Sequence, residues 1–265
     1  MSSSPSPTEP QPVPSATTPP RTGDDAATAA GAARTAAGAA GQQAAGEGGA
    51  RPRRVLLTGF EPFGGETVNP SWSAVRQAAA QPLPDVEWST AELPCVFGAA
   101  IDALREAIDA TEPDVVLCVG QAGGRPDVTV ERLAVNVDDA RIPDNAGGQP
   151  IDEPVVPGGP AAYFAALPIT ACGAAARTAG APASVSQTAG TFVCNHVFYG
   201  LMHLIATERP ALRGGFVHVP FAPEQVPDGS APALAVADSA VALRAIAATA
   251  AAGTPELRAV GGATH

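Results

Sequence analysis

The chain has 265 residues, a net charge of −11 at pH 7 and four cysteines. The first 54 residues carry five arginines and four acidic residues, a net of +1, which leaves −12 on the remainder. An acidic field of this kind repels phosphate backbones, so it argues against nucleic acid as a partner. No stretch is long and apolar enough to predict a membrane-spanning helix.

All fifteen basic residues are arginine. The absence of lysine excludes Walker A nucleotide hydrolases, lysine Schiff-base enzymes and Ser–Lys hydrolases. The histidines and cysteines form no C-x-x-C pair and no H-E-x-x-H motif, so we expect neither a metal nor another cofactor.

Residues 1–52 consist mainly of Ser, Pro, Thr, Ala, Gly and Gln. Such a segment cannot bury enough apolar surface to offset its ordering entropy, which predicts a disordered extension. Its start, MSSSPSPTEP, lacks the basic region of a signal peptide. We therefore expect a cytoplasmic protein with reduced cysteines and one folded domain over residues 53–265.

Strands and helices alternate along this domain. In chain order the sequence predicts the strand RRVLLTGF, a helix in NPSWSAVRQAAAQ, the strand VEWSTAELP, the helix FGAAIDALREAIDATEP, the strands DVVLCVG and VTVERLAVNV, a helix near 160–179, the strand ASVSQTAG, a helix after Cys194, the strand GGFVHVPF and an Ala-rich helix at about 232–252. This order predicts an α/β fold, a three-layer α/β/α arrangement with a mostly parallel, twisted central sheet. Active residues are expected at the carboxyl ends of the strands.

The loop after the first strand, TGFEPFGGETVNPSW, precedes a helix and contains a glycine pair. A phosphate cradle is one interpretation, but the loop matches neither G-x-G-x-x-G nor the Walker A pattern. Two phenylalanines and Asn69 favour an apolar pocket with one polar contact.

Glu131 is a carboxylate within the apolar strand VTVERLAVNV. Two interpretations are open for it. It forms a solvated charge pair with its neighbour Arg132, or it is buried and needs a partner, for which an imidazolium would serve.

Cys194 lies in AGTFVCNH, directly before a segment with helical spacing of Val197, Leu201, Leu204 and Ile205. This predicts a position at or just before a helix N-terminus, where the macrodipole lowers the pKa of a thiol. The spacing alone does not decide between a nucleophile and one more packed thiol.

His218 lies near the end of the strand GGFVHVPF. A general base would be placed there in a parallel sheet, although a core histidine bonded to a carbonyl group fits the same spacing. His196 and His203 are seven residues apart on one helix, a spacing that is not typical of a metal site.

Four motifs in this order resemble the pyroglutamyl-peptidase I family of cysteine peptidases: VLLTGFEPFGGETVNPSW, GQAGGRPDVTVERLAVNVDDARIPDNAG, TAGTFVCNHVFYGLMH and GGFVHVPF. The resemblance extends from Val55 to about Gln225. It implies a three-layer α/β fold, metal-free removal of N-terminal pyroglutamyl residues from peptides, and a homotetramer. The N-terminal extension and the C-terminal helix depart from the family pattern.

The resemblance also implies roles for individual residues. Cys194 takes the place of the nucleophile, His218 of the histidine and Glu131 of its acidic partner. The backbone N–H of Cys194 and a donor from the segment around Arg141 would stabilise the oxyanion. The implied pocket consists of Phe63, Ile142, Phe192 and Val193 as walls and Asn69 and Gln121 as polar contacts.

Two other functions compete with this one. A nucleoside phosphorylase-like enzyme could use a similar sheet, but it would need phosphate and would not need Cys194. A binding module without activity is the other alternative, and the intact Cys, His and Glu set argues against it.

Overall fold

A computed structural model describes residues 51–262 of the chain. The predicted disordered extension lies outside these residues except for its last two positions. The strands are β1 (Arg53–Phe60), β2 (Val86–Leu93), β3 (Val115–Gln121), β4 (Val128–Val135), β5 (Ala162–Phe164), β6 (Ala183–Thr188) and β7 (Arg213–Val219). The helices are α1 (Pro70–Ala79), α2 (Ala99–Thr111), α3 (Ile169–Thr178), α4 (Val193–Thr207) and α5 (Val236–Ala251), with a 3₁₀ turn at Pro223–Gln225.

The seven strands form one sheet in the order β2-β1-β3-β7-β4-β5, and β6 pairs with β4. The β1–β2, β1–β3, β3–β7 and β4–β6 pairs are parallel, whereas β4 runs antiparallel to β7 and to β5. The predicted α/β class with a mostly parallel sheet is therefore confirmed. The two antiparallel pairings of β4 were not predicted.

Helices cover both faces of the sheet. The apolar sides of α1, α3 and α5 pack on one face, against β-strand residues such as Val55, Leu117 and Val217. The apolar sides of α2 and α4 pack on the other, against Leu56, Val116 and Phe216, among others. Since successive side chains of a strand point to opposite faces, the buried strands contribute to both cores, which explains their continuous apolar sequences.

The helix predicted near 160–179 is wrong in its first half. Residues Ala162–Phe164 form the short strand β5, paired antiparallel with Val135–Leu133, and the helix begins only after Pro168. A short apolar run fits a strand or a helix equally well, and here the pairing with β4 decides.

The start of α4 sets the position of the site. Its first residue is Val193, so Cys194 is the second residue of the helix. The C-terminal helix α5 is shorter than predicted because Phe221 forms a bridge with Ala233 and accepts a hydrogen bond from Leu234 N–H. Within residues 51–262, no helix combines the length and the hydropathy that crossing a membrane requires.

Candidate active site

Cys194 Sγ lies over β3, against the backbone of Gly120. A Cβ atom placed on Gly120 would lie 2.7 Å from Cys194 Sγ and 3.0 Å from the ring of Phe216. Any side chain at position 120 would thus occupy the space of the sulfur. Gly120 is the register partner of His218 in the parallel β3–β7 pair. Because paired residues direct their side chains to the same face, the sulfur and the imidazole share one face of the sheet.

The N-terminus of α4 leaves backbone donors free beside the sulfur. Phe192 caps the helix without a side-chain hydrogen bond. In the described part of the chain, neither the Cys194 N–H nor the Arg141 N–H donates a hydrogen bond. Both groups have the chemistry of oxyanion donors.

The pKa of the Cys194 thiol differs from the expectation based on the helix start. Burial raises this pKa above its ordinary value, and Cys95 and the Glu131 carboxylate add to the effect, whereas Arg125 opposes it. Loss of hydration outweighs the helix terminus here. The thiol is therefore protonated in the resting protein and needs a base to become a nucleophile.

His218 is held by Glu131. The imidazole Nδ1–H donates to Glu131 Oε1 at 2.7 Å, and Glu131 is fully buried. Among the described residues, His218 Nε2 has no hydrogen-bond partner. Glu131 is therefore not in the solvated pair with Arg132 that the sequence left open, since Arg132 bonds Gln187 and the carbonyl of Gly261 instead.

The guanidinium of Arg125 completes this cluster. Its Nη1 donates to Glu131 Oε1 at 2.5 Å and to Thr129 Oγ1 at 2.5 Å. Arg125 was not predicted as a site residue, because GRPD between two strands indicates a turn and gives no sign of a buried partner. The unpaired carboxylate of Glu131 was the one signal that could have prompted a search for a nearby cation.

The pKa of Glu131 reflects opposing contributions. Burial acts to raise it, but the hydrogen bond from His218 and the charges of His218 and Arg125 act in the other direction, so the pKa is lowered overall. Glu131 is thus ionised at neutral pH, although it is buried. A buried anion next to Nδ1 fixes the tautomer of His218 and leaves Nε2 free to accept a proton.

Two cavities share the side chains of Phe63, Arg141 and Ile142. One, of about 350 Å³, is lined by Phe63, Gly64, Glu66, Gln121, Gly123, Arg141, Ile142 and Phe221. The other, of about 220 Å³, is lined by Phe63, Asp139, Arg141, Ile142, Thr191 and Phe192. The structure thus brings Phe63, Gln121, Ile142 and Phe192 of the predicted pocket together in these cavities.

Asn69 and Val193 lie elsewhere. Asn69 is buried as the N-cap of α1, where Oδ1 accepts from the N–H and hydroxyl of Ser71 and Nδ2 donates to the Glu61 carbonyl. Val193 is fully buried in the core between α4 and the sheet. Neither residue lines the two cavities, and their contact with a substrate stays a prediction.

The two residues after Cys194 anchor the start of α4 through their side-chain hydrogen bonds. Asn195 accepts from Val135 N–H and donates to the carbonyls of Val135 and Val137. His196 donates from Nδ1 to Asp138 at 2.7 Å and accepts at Nε2 from Gly98 N–H at 2.9 Å. The segment 135–138, which leads to Arg141 and Ile142, is therefore fixed to the start of α4.

The other three cysteines are buried, whereas Cys194 is partly exposed. Burial raises the pKa of Cys95, Cys118 and Cys172 to about 12 each. Cys118 lies in the core on β3, and Cys172 packs in the core from α3.

Sequence comparison matches residues 53–253 to the pyroglutamyl peptidase family. The chain is 69% identical to pyrrolidone-carboxylate peptidase of Streptomyces coelicolor over 215 residues, which span 80% of this chain and 99% of that protein. It is 56% identical to the protein of the same name from an Enterobacter species over 214 residues, 80% of this chain and 100% of the other.

Structure comparison gives the same result. Pyroglutamyl peptidase I from Bacillus amyloliquefaciens superposes with a TM-score of 0.77 at 48% identity, covering 79% of this chain and 100% of that one. A variant of pyrrolidone carboxyl peptidase from Pyrococcus furiosus superposes with a TM-score of 0.73 at 38% identity, over 76% of this chain and 99% of the other.

Proposed function

The chain belongs to the pyroglutamyl peptidase family, and from this premise we propose that Cys194, His218 and Glu131 are its catalytic residues. The protein is a cysteine-type hydrolase that removes N-terminal pyroglutamyl residues from peptides. Its nucleophile, base and orienting acid come from α4, β7 and β4, respectively.

One observation carries the assignment of the residues. The thiol of Cys194 and the imidazole of His218 share one face of the sheet at Gly120. The Nδ1 atom of that imidazole is hydrogen-bonded to the buried carboxylate of Glu131. This is the arrangement of nucleophile, base and orienting group that thiol and serine hydrolases use.

Acylation begins when His218 Nε2 takes the proton of the Cys194 thiol. The raised pKa of that thiol makes this transfer necessary. The sulfur attacks the carbonyl carbon that follows the lactam ring, and a tetrahedral oxyanion forms. The N–H groups of Cys194 and Arg141 stabilise the oxyanion, and Glu131 balances the charge of the imidazolium.

Breakdown of this intermediate releases the peptide. His218 gives its proton to the leaving amine, the C–N bond breaks, and a thioester joins the pyroglutamyl group to Cys194. A water molecule, deprotonated by His218, then attacks the thioester, and free pyroglutamate leaves as the thiol is restored.

The lactam ring binds in the cavities beside the nucleophile. Phe63, Ile142 and Phe192 enclose its apolar edge. Gln121 Oε1 accepts a hydrogen bond from Gln225 Nε2 at 3.1 Å, an arrangement that leaves Gln121 Nε2 to donate to the ring carbonyl.

This pocket accounts for selectivity between pyroglutamyl and prolyl amides. A proline at a free N-terminus carries a charged ammonium and no ring carbonyl, so it would lose hydration without gaining a partner and would leave the Gln121 donor unused. We expect kcat/KM for a fluorogenic pyroglutamyl amide to exceed that for the prolyl amide by about 10³-fold or more. A ratio below about ten would contradict the assigned pocket.

Alkylation tests the nucleophile directly. Iodoacetamide should abolish hydrolysis of the fluorogenic pyroglutamyl amide, and peptide mapping should find Cys194 modified before Cys95, Cys118 or Cys172, since it is the one partly exposed thiol of the four. Cys194→Ala should be inactive, whereas Cys172→Ala, the matched control, should retain activity. An inactivated enzyme with unmodified Cys194 would overturn the assignment.

We also propose that the enzyme works as a homotetramer in the cytoplasm. Two large apolar side chains support association, because Phe164 is 71% exposed and Ile151 is 75% exposed. The unpaired cysteines of the described region suit a reducing compartment. Light scattering coupled to gel filtration tests the assembly, and a monomeric mass would exclude it.

A further inference from the structure

Arg125 stands in the turn between β3 and β4, and its role is not covered by the three catalytic residues. The turn bends back at Gly124, which has a φ of +85°. The Arg125 side chain is 29% exposed, and its guanidinium reaches the fully buried Glu131.

The contacts of Arg125 centre on the oxygen that His218 uses. Glu131 Oε1 accepts both the Arg125 guanidinium and the His218 Nδ1–H, whereas Oε2 has no partner within residues 51–262. Arg125 Nη2 also donates to the carbonyl of Thr188, at the end of β6, at 3.4 Å. The guanidinium and the imidazole therefore hold the same carboxylate oxygen.

The contact between Arg125 and Glu131 affects the ionisation of the buried carboxylate. A carboxylate without hydration holds its proton more tightly and is neutralised unless a cation faces it. The groups that face Glu131 are the imidazole from β7, the guanidinium from the turn, the hydroxyls of Thr129 on β4 and Ser186 on β6, and the Cys194 thiol from α4. Arg125 is the one permanent positive charge of this set.

We propose that Arg125 is a positioning residue of the hydrolysis, which keeps Glu131 ionised and holds its Oε1 at His218 Nδ1. This inference rests on the proposed triad. Arg125 touches neither the substrate nor the reacting sulfur in this scheme. Its removal should therefore lower kcat and leave KM nearly unchanged.

Arg132 provides a matched control. It is the residue next to Glu131 and also donates two hydrogen bonds, to Gln187 Oε1 and to the Gly261 carbonyl. Arg132→Gln removes the same charge and a similar number of contacts without touching the Glu131 carboxylate.

The experiment compares R125Q, R125K and R132Q in kcat, KM and the pH profile of kcat. We expect R125Q to lose about 10-fold or more in kcat, with KM within about twofold of wild type. Without the cation, the Glu131 carboxylate holds its proton more tightly, so the acid limb of the kcat profile should move to higher pH. R125K, which keeps the charge, should recover most of the loss, and R132Q should keep the wild-type profile.

The outcomes separate this inference from the triad itself. In an E131Q background, R125Q should add less than about twofold, because the group it acts through is gone. An E131Q enzyme at the wild-type rate would remove the triad role of Glu131 and this inference with it. An impaired E131Q together with an R125Q whose pH profile is that of wild type would overturn the inference alone. Failure of R125Q to fold, when R132Q folds, would assign Arg125 to stability and also overturn it.

Discussion

Residues 51–262 contain two buried histidine–carboxylate pairs. His218 donates from Nδ1 to Glu131, and His196 donates from Nδ1 to Asp138, each across 2.7 Å. Both histidines are buried, and one oxygen of each carboxylate has no partner among residues 51–262. At Nδ1, therefore, the two imidazoles have the same surroundings.

The far side of the two rings differs. His196 Nε2 accepts a hydrogen bond from the Gly98 N–H, so its second nitrogen is occupied by the backbone at the start of α2. His218 Nε2 has no such partner in the described region and shares its face of the sheet with Cys194. A histidine–carboxylate pair is therefore not in itself a sign of catalysis, and the state of the second nitrogen distinguishes a base from a structural link.

The largest effect should come from removing each imidazole in turn. His218→Ala loses the base and the acid of both steps, and we expect kcat/KM to fall by about 10³-fold or more. His196→Ala loses an anchor of the helix, and we expect less than about tenfold. Steady-state hydrolysis of a fluorogenic pyroglutamyl amide measures both, with circular dichroism to establish folding.

Equal losses in the two folded variants would break the comparison. It would also fail if His196→Ala were the more damaging of the two for kcat at saturating substrate. Either result would mean that the occupied nitrogen of His196 takes part in the reaction.

A smaller effect should separate the two carboxylates. Glu131→Gln removes the charge that orients and balances the His218 imidazolium, and we expect kcat to fall by roughly 10²-fold, less than for His218→Ala. Asp138→Asn should cost only a few-fold, because Asp138 pairs with a histidine whose second nitrogen already accepts the Gly98 N–H. A wild-type rate in Glu131→Gln would contradict the orienting role of this carboxylate.

Much of the fold could be predicted because its periodicity is local. The strand RRVLLTGF is β1 without any change of boundaries, and the long amphipathic pattern around residues 97–113 contains α2. The failure at β5 has a physical cause. Three residues, Ala162–Phe164, take their conformation from hydrogen bonds to β4, and no local pattern records such a pairing.

For the candidate site, too, some features could be predicted from the sequence and others could not. Cys194, His218 and Glu131 lie in distinctive motifs, so each could be proposed as a site residue from the sequence. The contacts that give His196 and Arg125 their roles could not, since the partner of His196 Nε2 is Gly98, which is 98 residues away. The pKa of Cys194 was expected to be lowered by the helix start. It is raised, because burial outweighs the effect of the helix N-terminus.

A third prediction concerns stability. His196→Ala leaves the Gly98 N–H and the Asp138 carboxylate without their partner, and an unsatisfied buried polar group costs about 1–3 kcal/mol. We expect the free energy of unfolding in urea to fall by this amount. His203→Ala is the control, because the half-buried His203 stacks on the Tyr199 ring and makes one side-chain hydrogen bond within residues 51–262, with the Tyr163 hydroxyl at 3.0 Å. A control variant that is destabilised more than His196→Ala would remove the anchoring role.

The smallest effect should appear in the pH dependence of stability. The pKa of Glu131 is lowered in the folded protein from 4.5, its ordinary value. A carboxylate whose pKa is lowered on folding contributes stability that is fully present above about pH 4.5 and is lost as the pH falls through the folded-state pKa. Glu131→Gln cannot make this contribution at any pH.

The difference in Tm between wild type and Glu131→Gln should therefore stay constant from about pH 7 to 5.5 and shrink below about pH 4.5. A contribution near 1 kcal/mol corresponds to roughly 2–4 °C for a domain of this size. Calorimetry of the two proteins across this range measures the difference directly. A gap that stays constant below pH 4.5, or widens there, would show that the buried carboxylate is not held ionised by His218 and Arg125, and the distinction between the two histidine pairs would then rest on the occupied nitrogen alone.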